Sequence, residues 1–274
     1  MPGDLHAAAL EALLIQSPEA KCEAAHLLKR GLDAGDLAAG HSEPARELSE
    51  PGRPERPRLV APRELPQRGL GSIEGRAAFL HAIAHIEFNA INLGLDAVYR
   101  FRGMPAAFYA DWTTVAADEA RHFRLLTDRL AELGAAYGDF EAHNGLWDMA
   151  CRTADDVMVR MALVPRVLEA RGLDVTPGMI QRLRQIGDEA SARILETILE
   201  EEVAHVAAGS RWLEWCCEGR GLEPQATFLR LLQQRCPGAV RPPFNHAARL
   251  AAGFSETELE RLHRTSPMSE IKTS

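Results

Sequence analysis

The sequence has 274 residues, of which 46% are hydrophobic and 26% charged, as in globular proteins and unlike disordered or collagen-like chains. Its formal net charge is −8 and no block of Lys and Arg is present, which disfavours nucleic acid as a partner. No apolar run reaches the roughly 18 residues that a transmembrane helix requires, so we expect no membrane partner.

Aromatic residues make up only 6% of the chain, whereas alanine and leucine are abundant, and this balance favours helices over strands. The five cysteines are odd in number and fit no zinc-binding spacing, which favours free thiols in a reducing compartment. The first residues lack the basic and then apolar segments of a secretory signal. We therefore expect a cytoplasmic, all-α protein.

Two short helices are predicted near the start of the chain, over residues 5–15 and 18–29. Ser17 is a suitable N-cap for the second helix, because Pro18 follows at the first helical position. Prolines then become too dense for a helix and favour an extended chain. We interpret residues 1–70 as short helices followed by a Pro-rich arm.

A long helical pattern begins at Ser72, carries Glu87 in the middle of its apolar stripe and is broken at Gly103. The next helix is predicted over residues 105–133 and carries Glu119. The break lies near the midpoint of the two glutamates. An antiparallel hairpin would therefore place Glu87 level with Glu119.

The second half of the long-helix pattern is less regular. Residues 136–152 are predicted as a loop. A third helix is predicted over residues 154–171, ended by Gly172, and Pro165 should kink it. A cap and a proline at Pro177 indicate that a helix begins again there, and a fourth long helix follows.

Two Glu-x-x-His pairs lie in the centres of the apolar stripes. Glu and His three residues apart project from the same helical face. Each pair follows an isolated Glu at a similar offset, 32 residues in the first half and 33 in the second. The six candidate metal ligands are Glu87, Glu119, His122, Glu169, Glu202 and His205.

Glu169 is the least secure of these candidates. The break predicted at residues 172–176 is not midway between Glu169 and Glu202, as a simple hairpin would require. The extended segment after Gly172 would have to carry the chain farther along the bundle before it turns.

Burial of the four glutamates would require compensation of their negative charge. Ionised carboxylates that face one apolar core are costly and repel one another, whereas two divalent cations balance four Glu side chains. Oxygen-rich ligation with one imidazole per metal suits iron or manganese better than zinc, so we expect two Fe ions or a Mn/Fe pair. The alternative is that these glutamates lie on the surface or in buried ion pairs.

Three charged neighbours are expected to support the ligands. Asp118 and Glu201 directly precede ligand glutamates, and each is a candidate to accept a hydrogen bond from the outer ring nitrogen of the His in the opposite pair. Arg121 would brace this network. The alternative for both carboxylates is a plain solvated acid.

Other histidines are interpreted as unrelated to the metals. Two further Glu-x-x-His pairs, in a short helix and in a polar stretch, are typical of solvated helix faces. Two histidines on the first long helix are out of phase with Glu87, which favours a structural or surface role. The residues set aside are Glu23, His26, Glu260, His263, His81 and His85.

The stretch Asp-Glu-Ala-Arg-His at residues 118–122 resembles the Asp-Glu-x-Arg-His motif of the ferritin-like di-iron carboxylate proteins, which include bacterial multicomponent monooxygenases and ribonucleotide reductase small subunits. Residues 137–139, 145–148 and 163–174 are more closely similar to an uncharacterised bacterial ferritin-like family with a domain of unknown function. The chain departs from the wider pattern at Glu201, where relatives such as the reductase often have Asp.

This resemblance covers about residues 70–255 and implies a ferritin-like four-helix bundle at residues 71–219. The bundle would lie between the N-terminal arm of residues 1–70 and a C-terminal helical extension of residues 220–274. The resemblance also implies that the six candidate residues are the ligands of a dinuclear metal site.

The leading functional hypothesis is a non-haem di-iron or Mn/Fe oxidoreductase that uses O₂ to oxidise or hydroxylate a small organic substrate. The chain has no Gly-rich nucleotide fingerprint and no cysteine cluster for an iron–sulfur centre, so it would need an external reductase or ferredoxin. The alternatives are a ferroxidase, iron-handling or peroxide-scavenging protein, a relative of tRNA-modifying hydroxylases, and a scaffold without chemistry. The sequence leaves open whether the chain forms a homodimer.

Overall fold

The computed structural model describes residues 1–40, 44–66 and 68–265, so the last residues of the predicted C-terminal extension lie outside it. Within these ranges the chain is almost entirely helical. The strands Gly3–Asp4 (β1) and Leu37–Ala38 (β2) are only two residues long and pair in parallel. The prediction of an all-α protein is confirmed.

The chain divides into two compact units. The first contains Met1–Ala154 and Leu183–Ile194, and the second contains Asp155–Arg182 and the chain from Leu195 onward. The predicted division into an arm, a bundle and an extension stays a prediction.

Helices in the first unit begin where the sequence places their caps. Ser17 accepts a hydrogen bond from the backbone N–H of Ala20, and Ser72 accepts one from Gly75. The helices that lie wholly in this unit are Leu5–Leu14 (α1), Pro18–Asp33 (α2), Ile73–Arg100 (α3), Ala106–Glu132 (α4) and Gly145–Arg152 (α5).

The Pro-rich segment is held against the helices by its backbone. The backbone N–H of Gly52 donates to the carbonyl of Leu13 at the end of α1 (2.9 Å). The carbonyl of Ser49 accepts from Trp147 Nε1 (2.9 Å), and the backbone N–H of Val60 donates to the carbonyl of Ala142 (2.8 Å). These contacts give an extended, poorly helical segment a fixed course.

A close approach of backbones holds α3 against α4. A Cβ atom added at Gly94 would lie 3.0 Å from Ala116 Cβ and 3.1 Å from its backbone nitrogen. The turn between the helices contains Gly103 in the left-handed region, with φ of 71°. The predicted hairpin of these two helices is confirmed.

The second half departs from the prediction. Residues 170–185 form one helix, so Gly172 does not end a helix and Pro177 lies inside one. The predicted loop at 136–152 contains a short helix, α5. In chain order from residue 157, the elements are Val157–Leu163 (α6), a π-helical segment at Val164–Glu169, Ala170–Gln185 (α7), Glu189–Gly219 (α8), Pro224–Arg235 (α9), His246–Ala251 (α10) and Glu256–Thr265 (α11).

Pro177 is tolerated inside α7 because a distant residue compensates for it. A helical proline lacks the N–H that would bond the carbonyl four residues earlier, here that of Leu173. Asn245 Nδ2 donates to this carbonyl at 3.2 Å. The chain turns instead at Gly187, whose φ is 79°. This position lies close to midway between Glu169 and Glu202. The segment after Gly172, which the sequence predicts to be extended, is helical.

Two buried arginines connect the C-terminal helices to the earlier part of the second unit. In the π segment, Arg166 donates to Glu258 Oε1 (2.6 Å) and to Ser210 Oγ (2.5 Å). Arg249 of α10 forms two hydrogen bonds with Asp174 of α7. Both guanidinium groups lie over aromatic rings and alternate with them in the order Phe244, Arg249, Phe254, Arg166 and Phe228.

Candidate metal centre

The α3–α4 hairpin brings together three of the six candidate ligands. Glu87 is 4% exposed, and Glu119 and His122 are fully buried. His122 Nδ1 lies 3.3 Å from Glu119 Oε2 and 3.5 Å from Glu87 Oε2. Each of the three offers one ligand atom, and these atoms lie within 4.8 Å of one another. This buried acid and histidine cluster could bind a metal ion.

The charge of this cluster is consistent with a cation site. Burial alone would lower the pKa of His122, but the two carboxylates outweigh it and raise that pKa to about 11. Two buried carboxylates therefore hold a positive charge between them. A divalent ion bound by the same oxygens and by the deprotonated imidazole would supply more charge than this proton. The side chains present fit a hard or borderline divalent metal.

The second unit contains the other three candidates. His205 Nδ1 lies 3.5 Å from Glu202 Oε1 on α8. Both side chains are largely withdrawn from solvent, at 3% and 12% of their full exposure. Glu169 is 9% exposed and is the last residue of the π segment. Segments of π-helix often lie at functional sites. The role of these three side chains as ligands stays a prediction.

The predicted supporting residues lie on the same helices as the pairs. Arg121 Nη2 is 3.7 Å from Asp118 Oδ1, and both side chains are more than a third exposed, so this ion pair is weak. Glu201 is partly buried on α8. The hydrogen bonds proposed from the two histidines to Asp118 and Glu201 stay predictions.

The two histidines set aside on α3 are buried. Gly138 donates its backbone N–H to His81 Nε2 (2.9 Å), and Tyr137 Oη lies 2.8 Å from His85 Nδ1. Burial lowers the pKa of each histidine to about 4, so both rings are neutral at pH 7. Of the two roles expected for them, the structural one is confirmed and the surface one is wrong.

Sequence reasoning missed the position of Tyr137. Its ring centroid lies 5.6 Å from that of Phe88 and 5.0 Å from that of Phe123. These two phenylalanines directly follow Glu87 and His122 in the chain. Tyr137 therefore covers the residues beside the cluster. An aromatic residue in an apparent loop gives little local signal of this contact, because the loop is placed by His81 and His85.

The glutamates of the other Glu-x-x-His pairs lie on solvated helix faces as expected, whereas His26 is half-buried. Glu23 forms an ion pair with Arg30 at 3.1 Å, and both side chains are more than half exposed. Glu260 lies 3.8 Å from Arg264, and both of these side chains are also exposed to solvent. These pairs therefore provide exposed controls for the buried one.

None of the helices in the described ranges combines the length and apolar character needed to cross a membrane.

Comparisons with known proteins identify an uncharacterised family, in agreement with that part of the resemblance found in the sequence. The family described as "Protein of unknown function (DUF455)" matches residues 14–260. An uncharacterized protein of Haemophilus influenzae is 49% identical over 214 residues, which cover 76% of this chain and 74% of that protein. No solved structure shows significant similarity to the chain.

Proposed function

Because the chain belongs to the DUF455 family, whose description names no reaction, the buried cluster is the best guide to its chemistry, and we propose that the protein is a non-haem dinuclear metal oxidoreductase. The observation that carries this proposal is the cluster of Glu87, Glu119 and His122 on two adjacent helices. Paired carboxylates and a helical Glu-x-x-His motif are the ligands of dinuclear sites in four-helix bundles.

In this proposal the long helices form a ferritin-like four-helix bundle in which Glu169, Glu202 and His205 complete the ligands. Four glutamates would balance two divalent cations, and each neutral histidine would add one nitrogen ligand. Two Fe ions, or a Mn/Fe pair, would supply O₂-dependent oxidation chemistry when bound. Tyr137 and its phenylalanine neighbours would limit the access of water to the hairpin side of the site.

The substrate class proposed is a small organic molecule that is oxidised or hydroxylated. Electrons would come from an external reductase or ferredoxin, because the chain contains no cysteine cluster for an iron–sulfur centre. A ferroxidase or peroxide scavenger is the second candidate. The Pro-rich segment and the C-terminal helices favour the enzyme, because a minimal storage bundle does not require them. Nothing in the acidic composition supports a tRNA-modifying relative.

The experiment that tests the metal site is metal analysis after reconstitution with Fe²⁺ or Mn²⁺. We expect about two metal ions per chain in the unaltered protein. Glu119→Ala should lose at least half of this metal, whereas Glu23→Ala, in an exposed Glu-x-x-His pair, should retain all of it. Equal metal contents in the two variants would contradict the proposed site.

A second measurement separates the two candidate functions. The ferrous protein is mixed with O₂, with and without an excess of Fe²⁺. Oxidation of many added Fe²⁺ ions per chain would favour a ferroxidase. Oxidation limited to the two bound ions, renewed only by an added electron donor, would favour the oxidoreductase.

A further inference from the structure

A cleft in the second unit lies between α9, the turn after it, and α11. Its volume is about 680 Å³, within the range of pockets that hold small molecules. The floor is apolar and firmly placed, because Leu232, Val240 and Leu262 are each less than a tenth exposed. The cleft can therefore bury an apolar group without refolding the unit.

The rim of this cleft is positively charged. Arg230, Arg261 and Arg264 line it, and no Asp or Glu is found among its described lining residues. Glu260 lies 3.8 Å from Arg264, but both side chains are 70% exposed, so water screens this pair strongly. This cleft therefore carries a local positive charge, with three guanidinium groups around one apolar floor, although the whole chain has a net charge of −8.

We propose that this cleft binds a soluble amphiphilic anion, with an apolar body and a carboxylate, sulfonate or phosphate group. Guanidinium groups bind such anions through paired hydrogen bonds. A small inorganic anion would leave the apolar floor in water, whereas a neutral apolar ligand would desolvate the arginines without compensation. Only an amphiphilic anion satisfies both parts of the cleft.

The surroundings of the cleft favour a soluble ligand over an anionic membrane surface. The described lining contains no Trp, Tyr or Phe of the kind that anchors proteins at a membrane interface. None of the described lining residues is a candidate metal ligand, so this proposal does not rest on the proposed metal centre.

The test uses a pair of fluorescent probes and the full chain. The anionic probe is 8-anilinonaphthalene-1-sulfonate, and N-phenyl-1-naphthylamine is its uncharged counterpart. We expect saturable binding of the anionic probe and about 10-fold weaker binding of the neutral one. Competition by decanoate should displace the anionic probe.

A triple variant tests the rim. Arg230→Gln with Arg261→Gln and Arg264→Gln should weaken binding of the anionic probe about 10-fold or more. The matched control changes three exposed arginines elsewhere, Arg63→Gln with Arg152→Gln and Arg182→Gln, and should change binding by less than about twofold. The control alters the net charge equally, so it separates a local effect from a general one.

A single variant keeps the proposal testable if the triple variant unfolds. Ala226 is exposed on α9 and lines the cleft, so Ala226→Glu adds a carboxylate without burying it. It should weaken the anionic probe and spare the neutral one. Failure of the anionic probe to saturate, or equal effects of the two triple variants, would refute the site. Arginine-dependent binding to phosphatidylglycerol vesicles without displacement by decanoate would overturn the choice of a soluble ligand.

Discussion

The α3–α4 hairpin and the helices from α6 to α8 carry similar Glu and His patterns but are stabilised differently. In the hairpin, Gly103 adopts the left-handed backbone conformation and turns the chain midway between the two glutamates. Gly94 and Ala116 are small enough to let the two helices approach closely. In the second region, two prolines interrupt the regular helical hydrogen bonding. Asn245, directly before α10, bonds the carbonyl that Pro177 frees, and Glu258 of α11 pairs with Arg166 next to Pro165. Local sequence therefore determines the first geometry, whereas distant contacts determine the second.

The largest effect is expected where the second region depends on the C-terminal helices. Glu258→Ala would leave Arg166 buried without its carboxylate partner. Removing one member of a buried ion pair costs about 3–5 kcal/mol. Glu260→Ala, which removes an exposed pair on the same helix, should cost less than about 1 kcal/mol. Urea unfolding of both variants measures the difference, and similar costs would show that α11 does not stabilise the π segment.

A smaller effect is expected from glycines at the two helix contacts. A Cβ at Gly209 would lie 2.2 Å from Pro165 Cγ, whereas a Cβ at Gly94 would lie 3.0 Å from its nearest neighbour. We expect Gly209→Ala to cost about 3 kcal/mol in unfolding free energy, and Gly94→Ala about 1 kcal/mol. Gly178→Ala meets nothing within 4 Å and should stabilise α7 by up to about 1 kcal/mol. The reverse order in thermal or urea unfolding would contradict the comparison.

The third effect concerns the first region and, unlike the other two, depends on pH. Lys21 is fully buried, and its Nζ donates to the carbonyl of Leu13 and to Asn92 Oδ1, both at 2.6 Å. Burial lowers the pKa of Lys21 from 10.5 to about 7. The unfolded chain therefore binds more protons between these values, so this residue makes stability rise as pH increases from about 7 towards 10.5.

The comparison with Lys21→Met isolates this contribution. The difference in unfolding free energy between the natural protein and the variant should change by up to about 1.4 kcal/mol per pH unit in that range, in favour of the natural protein at higher pH. Below pH 6 the difference should become constant. A difference that does not vary with pH would show that Lys21 titrates normally.

The sequence predicts the first region well, because its signals are local. Ser72 and Gly103 lie next to the ends of the helices that they delimit, and the apolar stripe around Glu87 lies within α3. The cluster with Glu119 and His122 follows from the hairpin. The continuous helix through Gly172 could not be predicted in this way. Pro177 is accepted there because Asn245, 68 positions later in the chain, bonds the carbonyl that it frees.

The same distinction applies to the residues around the site. The pairing of His85 with Tyr137 depends on how residues 136–143 fold back onto α3, and no periodic pattern indicates this. The π segment could be anticipated only as a kink at Pro165, because the wider helical turn also requires space next to Gly209.

The π segment also constrains how this chain can tolerate changes in length. A wider turn of this kind accommodates an additional residue within an otherwise α-helical run. Deleting one residue between Val164 and Glu169 would remove this additional residue and let the run become α-helical, while α6 keeps its rotation relative to the start of α7. Deleting one residue from the middle of α7, which is α-helical, would instead rotate everything before it by about 100° and turn the apolar face of α6 away from its core. A single-residue deletion in the π segment should therefore be less damaging than one in the middle of α7.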